Sequence, residues 1–172
     1  RFEATLEATK AVKLLSEDGR LTAATSSQIC DGASGVLVVN EAGLKKLGVE
    51  PIARIHSLTV IGEDPVVMLE APINATRAAL KKAGMKIDEI DLFEVNEAFA
   101  SVPMAWLKEL GVDPAKLNVN GGAIALGHPL GSSGSRITLT LLNRLETEGG
   151  TRGIATMCIG VGQGTAIAIE RV

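Results

Sequence analysis

Three residues of this sequence have side chains that can do chemistry, and each lies at the carboxyl end of a predicted strand. His128 lies in the glycine-rich segment 118–136, which contains five glycines. Asn96 begins the sequence Asn-Glu-Ala-Phe, and Cys158 precedes Ile-Gly. An imidazole can act as a base, an amide can hold an oxyanion, and a thiol can act as an acid or a nucleophile.

The glycine-rich segment indicates a site around His128. Glycine lets a backbone adopt positive φ and lets other groups come close, at an entropic cost. Pro129 restricts the backbone of the histidine before it, so the ring would be held in one place, as a base or an oxyanion donor must be. The alternative is a loop with a hydrogen-bonded structural histidine.

Cys158 and Asn96 each have a plain structural alternative. Free backbone N–H groups at the predicted strand end would favour the thiolate of Cys158, but an inert buried thiol is common. Asn96 is well placed as the N-cap of a helix. Glu97 beside it fits the preference for acidic residues at helix starts.

Several other classes of site are excluded by the motifs. The segment 127–134 lacks the Gly-Lys-Ser/Thr of a phosphate-binding loop, and no G-x-G-x-x-G follows a first strand. HExxH and GxSxG are also absent, which argues against a zinc protease and a serine hydrolase. We assign no metal ligand, because Cys30 and Cys158 are far apart and neither belongs to a C-x-x-C pair.

Composition predicts a globular intracellular protein. The 172 residues are 46% hydrophobic and 22% charged, which suits one packed domain. A net charge of −3 and an aromatic content of 2% argue against nucleic-acid binding. No apolar run has the length of a membrane span. The cysteine usage favours a reduced, cytoplasmic location. Because the chain begins with Arg1, we expect it to be a fragment.

Alternating strand and helix patterns predict an α/β fold. We expect a mostly parallel mixed sheet with helices on both faces and a C-terminal antiparallel hairpin. The predicted strands are 34–40, 52–61, 90–95, 117–126, 153–159 and 165–170. The predicted helices are 41–47, 72–83, 96–110 with Asn96 as its cap, and one capped by Ser132 or Ser133 that ends near Glu148. Ligands bind beyond the carboxyl ends of such strands, where Asn96, His128 and Cys158 should meet.

Three motifs resemble, in order and spacing, signatures of the thiolase family, which comprises acetyl-CoA acetyltransferases and 3-ketoacyl-CoA thiolases. They are Asn-Glu-Ala-Phe at 96–99, Gly-Gly-Ala-Ile-Ala-Leu-Gly-His-Pro-Leu-Gly at 121–131, and Cys-Ile-Gly-Val-Gly-Gln-Gly at 158–164. The resemblance extends from about residue 17 to the end. It implies acyl transfer to coenzyme A, with cleavage of a 3-ketoacyl-CoA or the reverse Claisen condensation.

The resemblance covers only the C-terminal half of a thiolase. It implies that residues 1–20 end a loop region, that 21–50 form the last strand and helix of the N-terminal half, and that 51–172 form the C-terminal domain. The nucleophilic cysteine of the family would lie in the missing N-terminal half, so we expect the chain alone to be inactive. We also expect a homo-oligomeric parent, with no nucleic-acid or membrane partner.

Roles for single residues follow from the same resemblance. His128 would activate the absent nucleophile and stabilise the enolate oxygen of the thioester, and Cys158 would move the proton at the acetyl α-carbon. Asn96 would hold a water that completes one oxyanion hole, and the Gly160 N–H would contribute to a second.

The resemblance also implies a coenzyme A site. The positions that line the pantetheine arm are Ala23, Ser27 and Phe99. Coenzyme A or acyl-CoA would be a substrate, with no covalently bound cofactor. One departure is Gln28, where the family often has glycine, which affects the shape of this loop and the acyl preference.

Two other functions stay open at this stage. A thiolase-like, non-catalytic acyl-CoA-binding protein would keep the fold without the chemistry. A condensing enzyme of the fatty-acid synthase type would have histidine or asparagine in place of Cys158. For the chain alone, we expect Ile137, Leu141 and Leu145 to lack packing partners, and the chain either to self-associate or to have a poorly ordered segment 21–35.

Overall fold

A four-stranded mixed sheet forms the centre of the computed structural model, which describes residues 4–172. Residues 1–3, the start of the predicted loop region 1–20, lie outside the described part. The strands are β1 (Ala53–Gly62), β2 (Leu92–Val95), β3 (Arg152–Ile159) and β4 (Gln163–Arg171). The helices are α1 (Leu6–Lys10), α2 (Glu41–Leu47), α3 (Ala71–Ala83), α4 (Ser101–Leu110), α5 (Ala123–Leu126) and α6 (Ser133–Glu148).

The strand order is β1-β4-β3-β2. Among the three hydrogen-bonded pairs of neighbouring strands, only β2 with β3 is parallel. The predicted mixed α/β sheet with a C-terminal hairpin is confirmed. The prediction that most strands are parallel, with one antiparallel strand at the end, is also confirmed: β1, β2 and β3 run in the same direction, and only β4, which pairs antiparallel with both β1 and β3, runs against them. The short turn Gly160–Gly162 joins β3 to β4, and so short a connection can join only antiparallel neighbours.

Helices cover both faces of the sheet, as predicted. Side chains of successive strand residues point to opposite faces, so β3 directs Ile154 and Cys158 toward α3 and α4, and Ala155 toward α6. Trp106 of α4 is fully buried and packs edge-on against Phe93 of β2, with ring centroids 5.1 Å apart.

The apolar face of α6 packs against the sheet. Ile137, Leu141 and Leu145 are all buried there with Leu92 and Ile169. The expectation that these three leucine and isoleucine side chains lack partners is therefore wrong. The spacing of four residues places them on one side of the helix, and that side faces β2, β3 and β4.

Glycines end the long helices where the sequence predicts. Gly84, Gly111 and Gly149 follow α3, α4 and α6 with φ of 67°, 66° and 71°. Their backbone N–H groups donate to carbonyls of the last turn. These caps are local signals, so the sequence is sufficient to locate them.

The segment 34–40 does not form a strand, contrary to prediction. Leu37 and Val38 are 74% and 66% exposed. A continuous β-branched run indicates a strand buried on both faces. Within residues 4–172 no strand pairs with the segment 34–40. The segment therefore remains exposed before α2.

The segment 117–126 is also not a strand. Only Leu117 pairs, as an isolated parallel bridge to Phe93. Asn118 and Gly121 then adopt positive φ, of 47° and 81°, which ends any extended run. The chain continues into α5, so His128 follows a short helix.

One predicted cap is wrong, and a second holds the N-cap position without the capping hydrogen bond. Asn96 does not cap a helix; its N–H donates to Thr156 O at 3.0 Å, which continues the pairing of β2 with β3. The helix α4 begins only at Ser101. Ser132 precedes α6 but makes no capping hydrogen bond; its hydroxyl donates to Ser34 Oγ at 2.8 Å.

Substitution of Leu141 by Ala tests the packing of α6. We expect it to lower the free energy of unfolding by about 2–5 kcal/mol, because the side chain is buried and leaves a cavity. Urea denaturation measures the change. Met104→Ala, at a position that is exposed on α4, is the control and should change stability by less than about 1 kcal/mol. Equal effects of the two substitutions would contradict this packing.

Candidate active site

Hydrogen bonds fix the imidazole of His128 on both sides. The residue is buried between α5 and α6. Its Nδ1 lies 2.6 Å from Ser133 Oγ, and its Nε2 lies 3.3 Å from Asn96 Nδ2. Its backbone N–H donates to Gln28 O at 2.8 Å. Three segments of the chain therefore hold one ring.

We infer the tautomer of His128 from this network. The Ser133 hydroxyl donates its single hydrogen to Pro129 O at 3.0 Å, so Ser133 Oγ accepts from the ring and Nδ1 carries the proton. Nε2 then has the free lone pair, which accepts from the Asn96 amide. The basic atom of the ring thus faces Asn96.

Burial keeps His128 neutral. Desolvation lowers the pKa of the imidazole, and the positive charge of Arg136 lowers this pKa further. A neutral imidazole with an unprotonated Nε2 is the form that a general base requires.

The amide oxygen of Asn96 is left without a partner. Asn96 is buried, and no donor within residues 4–172 reaches its Oδ1. A buried acceptor without a hydrogen bond is costly and rare. This oxygen therefore marks a place where a water or a ligand donor fits.

Cys158 is the second-to-last residue of β3 and is buried. Burial raises the pKa of its thiol, so the protonated form prevails at neutral pH. The sequence argument that the strand end favours a thiolate is therefore wrong in this chain, because desolvation exceeds the effect of the backbone hydrogen bond. The group suits an acid.

The parallel pairing of β2 with β3 brings the three candidates to one end of the sheet, where both strands have their carboxyl ends. Val95 pairs with Thr156. Asn96 is one residue beyond this pair and Cys158 two residues beyond it, and His128 contacts Asn96. Gly160 follows at the exposed start of the turn after β3.

Residues 21–31 form a small polar loop after α1, and this loop lies against the Asn-Glu-Ala-Phe motif. Ser26 forms a bridge with Phe99, and both the N–H and the hydroxyl of Ser27 donate to Ala98 O at 3.1 Å. Ser27 and Phe99 are thus neighbours. Ala23 begins the short turn Ala23–Thr25 in the same loop and is exposed.

The glycine before His128 is required by a close contact. Gly127 has a φ of 98°, and a Cβ there would lie 2.6 Å from Cys30 Sγ. The loop that contains Gln28 and Cys30 therefore packs directly on the glycine-rich segment, which helps to fix His128.

Sequence reasoning missed several residues of this site. Ser133 was expected only as a possible helix cap, and nothing in its local sequence marks it as a partner of the imidazole. Glu94 is buried, and burial raises its pKa to about 8, with Arg136 opposing and Glu97 adding to the shift. The Arg136 guanidinium nitrogens are buried without a hydrogen-bond partner in the described part.

Two kinds of feature are not found among residues 4–172. The described side chains contain no group of three or more His, Cys, Asp or Glu that could hold a metal ion. Within the same range, no helix combines the length and the apolar character needed to cross a membrane.

Comparisons with known proteins show the family of this chain. Residues 49–171 match the family described as thiolase, C-terminal domain. The chain is 54% identical over 170 residues to the steroid 3-ketoacyl-CoA thiolase of Mycobacterium tuberculosis, covering 99% of the chain and 42% of the relative. It is 51% identical over 159 residues to the 3-ketoacyl-CoA thiolase of Marinobacter nauticus, covering 91% and 41%.

Solved structures give the same result. The acetyl-CoA acetyltransferase of Bacillus anthracis superposes with a TM-score of 0.95 at 39% identity. Human mitochondrial 3-ketoacyl-CoA thiolase in complex with CoA superposes with a TM-score of 0.91 at 44% identity. Each comparison covers 100% of this chain and 44% of the other.

The chain belongs to the thiolase family, which confirms the resemblance of the three motifs. It spans less than half the length of the curated relatives and solved structures that it matches.

The pKa of His128 can be measured directly, because the chain has only two histidines. We expect His128 to titrate below the ordinary value of about 6.5, since burial and Arg136 both disfavour the cation. Proton NMR titration of the imidazole signals gives the value, and His56→Gln assigns the two signals. A pKa of His128 at or above the ordinary value would contradict the site electrostatics.

Substitution of Ser133 by Ala tests the tautomer. Loss of the hydroxyl removes the acceptor for Nδ1–H, so the share of the Nδ1-protonated form should fall. Nitrogen-15 shifts of the imidazole measure it. Thr138→Ala is the matched control, because its hydroxyl bonds only to Gly134 O on the exposed side of α6. An unchanged tautomer in Ser133→Ala would refute the assignment.

Proposed function

We propose that this chain supplies part of a thiolase active site in a protein that transfers acyl groups to coenzyme A. The reaction would be cleavage of a 3-ketoacyl-CoA or the reverse Claisen condensation of acetyl-CoA. The supporting observation is the contact between Asn96 and the unprotonated Nε2 of His128, at the strand edge that also carries Cys158.

In this proposal His128 is the base. Its Nε2 would take the proton of a cysteine thiol that lies outside these 172 residues, in the N-terminal thiolase half. The resulting thiolate attacks the 3-keto carbon of the substrate. Two facts support an outside nucleophile: the chain spans less than half of its relatives, and burial disfavours the Cys158 thiolate.

Cys158 would be the acid. When the bond between C2 and C3 breaks, its electron pair stays on C2 as the enolate of acetyl-CoA. The Cys158 thiol then donates its proton to C2. In the condensation direction the same group would be a thiolate that removes this proton. Coenzyme A then gives its thiol proton to the Cys158 thiolate and attacks the acyl-enzyme thioester. This releases the shortened acyl-CoA, and the leaving nucleophile takes back its proton from His128.

Two hydrogen-bonding sites would stabilise the oxyanions. The protonated His128 would donate from Nε2 to the enolate oxygen, together with a water held by Asn96. The unpartnered Oδ1 of Asn96 supports such a water, because it needs a donor. The backbone N–H of Gly160, at the exposed turn after β3, would serve the second oxyanion.

Coenzyme A would enter as a substrate along the small polar loop, with no covalently bound cofactor. Ala23, Ser27 and Phe99 would line its pantetheine arm. The contact of Ser27 with Ala98, next to Phe99, supports this assignment because it places the loop beside the motif that carries Asn96.

The remaining part of a thiolase would cover the exposed apolar segment of this chain. Val36, Leu37 and Val38 are exposed here, and they fall in residues 21–50, which we assign to the N-terminal half. Residues 1–20 would end its loop region, and 51–172 would form the C-terminal domain. We further propose a homo-oligomeric, cytoplasmic parent without nucleic-acid or membrane partners, consistent with two free cysteines.

Substitution of Cys158 by Ala in a full-length thiolase that contains this chain tests the acid role. We expect kcat for thiolysis of a 3-ketoacyl-CoA to fall by about 10²–10⁴-fold, because general acid catalysis is lost. Met104→Ala is the control and should keep activity within a few-fold, since Met104 is exposed on α4 and outside the proposed site. Full activity of Cys158→Ala would instead favour a non-catalytic role for this site.

The chain of 172 residues by itself should not catalyse thiolysis, because it would lack the nucleophile. Absorbance of the 3-ketoacyl thioester reports the cleavage of acetoacetyl-CoA by the purified chain. The full-length protein at the same concentration is the positive control. Turnover by the chain alone well above the uncatalysed rate would refute the assignment of the nucleophile to the other half.

A further inference from the structure

We propose that Glu97 is a positioning residue, which ties the glycine-rich segment to the end of β2 and so sets the contact between Asn96 and His128. Its catalytic meaning rests on the function proposed above. The structural part of the inference, that Glu97 controls the setting of the His128 ring, does not depend on that function.

One carboxylate joins two separate points of the glycine-rich segment. Glu97 Oε1 accepts from Asn118 Nδ2 at 3.1 Å, and Oε2 accepts from the backbone N–H of Ile124 at 3.1 Å. Bonds from a charged acceptor are stronger than those from a neutral one. The start of the segment and the first turn of α5 are therefore held by the same side chain.

Asn118 connects this carboxylate back to β2. Its side-chain oxygen accepts from Val95 N–H at 2.8 Å, and its amide nitrogen donates to Val95 O at 2.9 Å. Its own backbone has a φ of 47°, which a tight set of partners must hold. Glu97 and Asn118 thus form one connected network beside Asn96.

The short helix α5 carries this restraint to His128. It has only four residues, and its N-cap is Gly122, which has no side chain to cap it. The Glu97 carboxylate caps the helix instead, because it accepts the hydrogen bond from the backbone N–H of Ile124. Gly127 N–H then donates to Ala123 O at 2.8 Å, and His128 follows directly. A shift of the Glu97 carboxylate would therefore move α5, and with it His128.

Gly122 shows how closely the carboxylate packs. A Cβ on Gly122 would lie 2.1 Å from the carboxyl carbon of Glu97. Gly122 has a φ of −124°, which any residue can adopt, so space and not backbone conformation requires glycine here. An alanine at this position would displace the carboxylate without changing its charge.

The experiment compares four variants of the 172-residue chain at neutral pH: Glu97→Ala, Gly122→Ala, the double variant of these two, and Glu97→Gln. Nitrogen-15 shifts of the His128 imidazole report its tautomer. We expect each single variant to lower the share of the Nδ1-protonated form. The double variant should show no larger change than the greater single one, because both act through the same carboxylate. Glu97→Gln keeps one acceptor and should show an intermediate change.

Two controls separate positioning from loss of stability. Glu41→Ala removes a carboxylate from the first turn of α2 and should leave the His128 signals unchanged. Ser57→Ala removes a buried hydrogen bond to Ala79 O, 2.9 Å long and on β1. It should lower stability in urea without changing the tautomer.

Three results would overturn the proposal. The first is an unchanged His128 signature in Glu97→Ala. The second is additive effects of the Glu97 and Gly122 substitutions. The third is a tautomer change in Ser57→Ala as large as that in Glu97→Ala. Failure of the proposed function is a different result, because it would appear as undiminished thiolysis by a His128→Ala full-length protein.

Discussion

The site depends on a chain of hydrogen bonds that runs from Pro129 O through Ser133 and His128 to Asn96. This chain fixes the ring, its tautomer and the direction of its basic nitrogen. The parallel pairing of β2 with β3 places Asn96 at the same end of the sheet as Cys158. The helix α6 contributes Ser133 at its first residue and is held to the sheet by its buried apolar face.

Burial gives the two titratable groups of the site complementary states. It lowers the pKa of His128 and raises that of Cys158, so that one is a neutral base and the other a protonated acid at neutral pH. Desolvation disfavours the charged form of each group. A single physical cause therefore prepares a base and an acid at one edge of a sheet, which matches the two proton transfers of the proposed reaction.

The sequence predicts those parts of the fold that rest on local signals. Glycine caps after α3, α4 and α6 and the turn between β3 and β4 are examples, because each depends on a few adjacent residues. The segment 34–40 was mistaken for a strand because its β-branched pattern indicates burial that this chain does not provide. The three motif residues were predicted as a site from their types and spacing. Ser133 and the contacts of Glu97 were not, because long-range packing gives them their partners.

A crystal structure of the full-length protein with a bound acyl-CoA tests most directly whether these three segments form one thioester site. The account predicts that the thioester lies between Asn96, His128 and Cys158, with its oxygen within hydrogen-bond distance of His128 Nε2 or of a water held by Asn96. The pantetheine arm should pass Ser27 and Phe99. A thioester bound elsewhere, with none of these side chains in contact, would contradict the account.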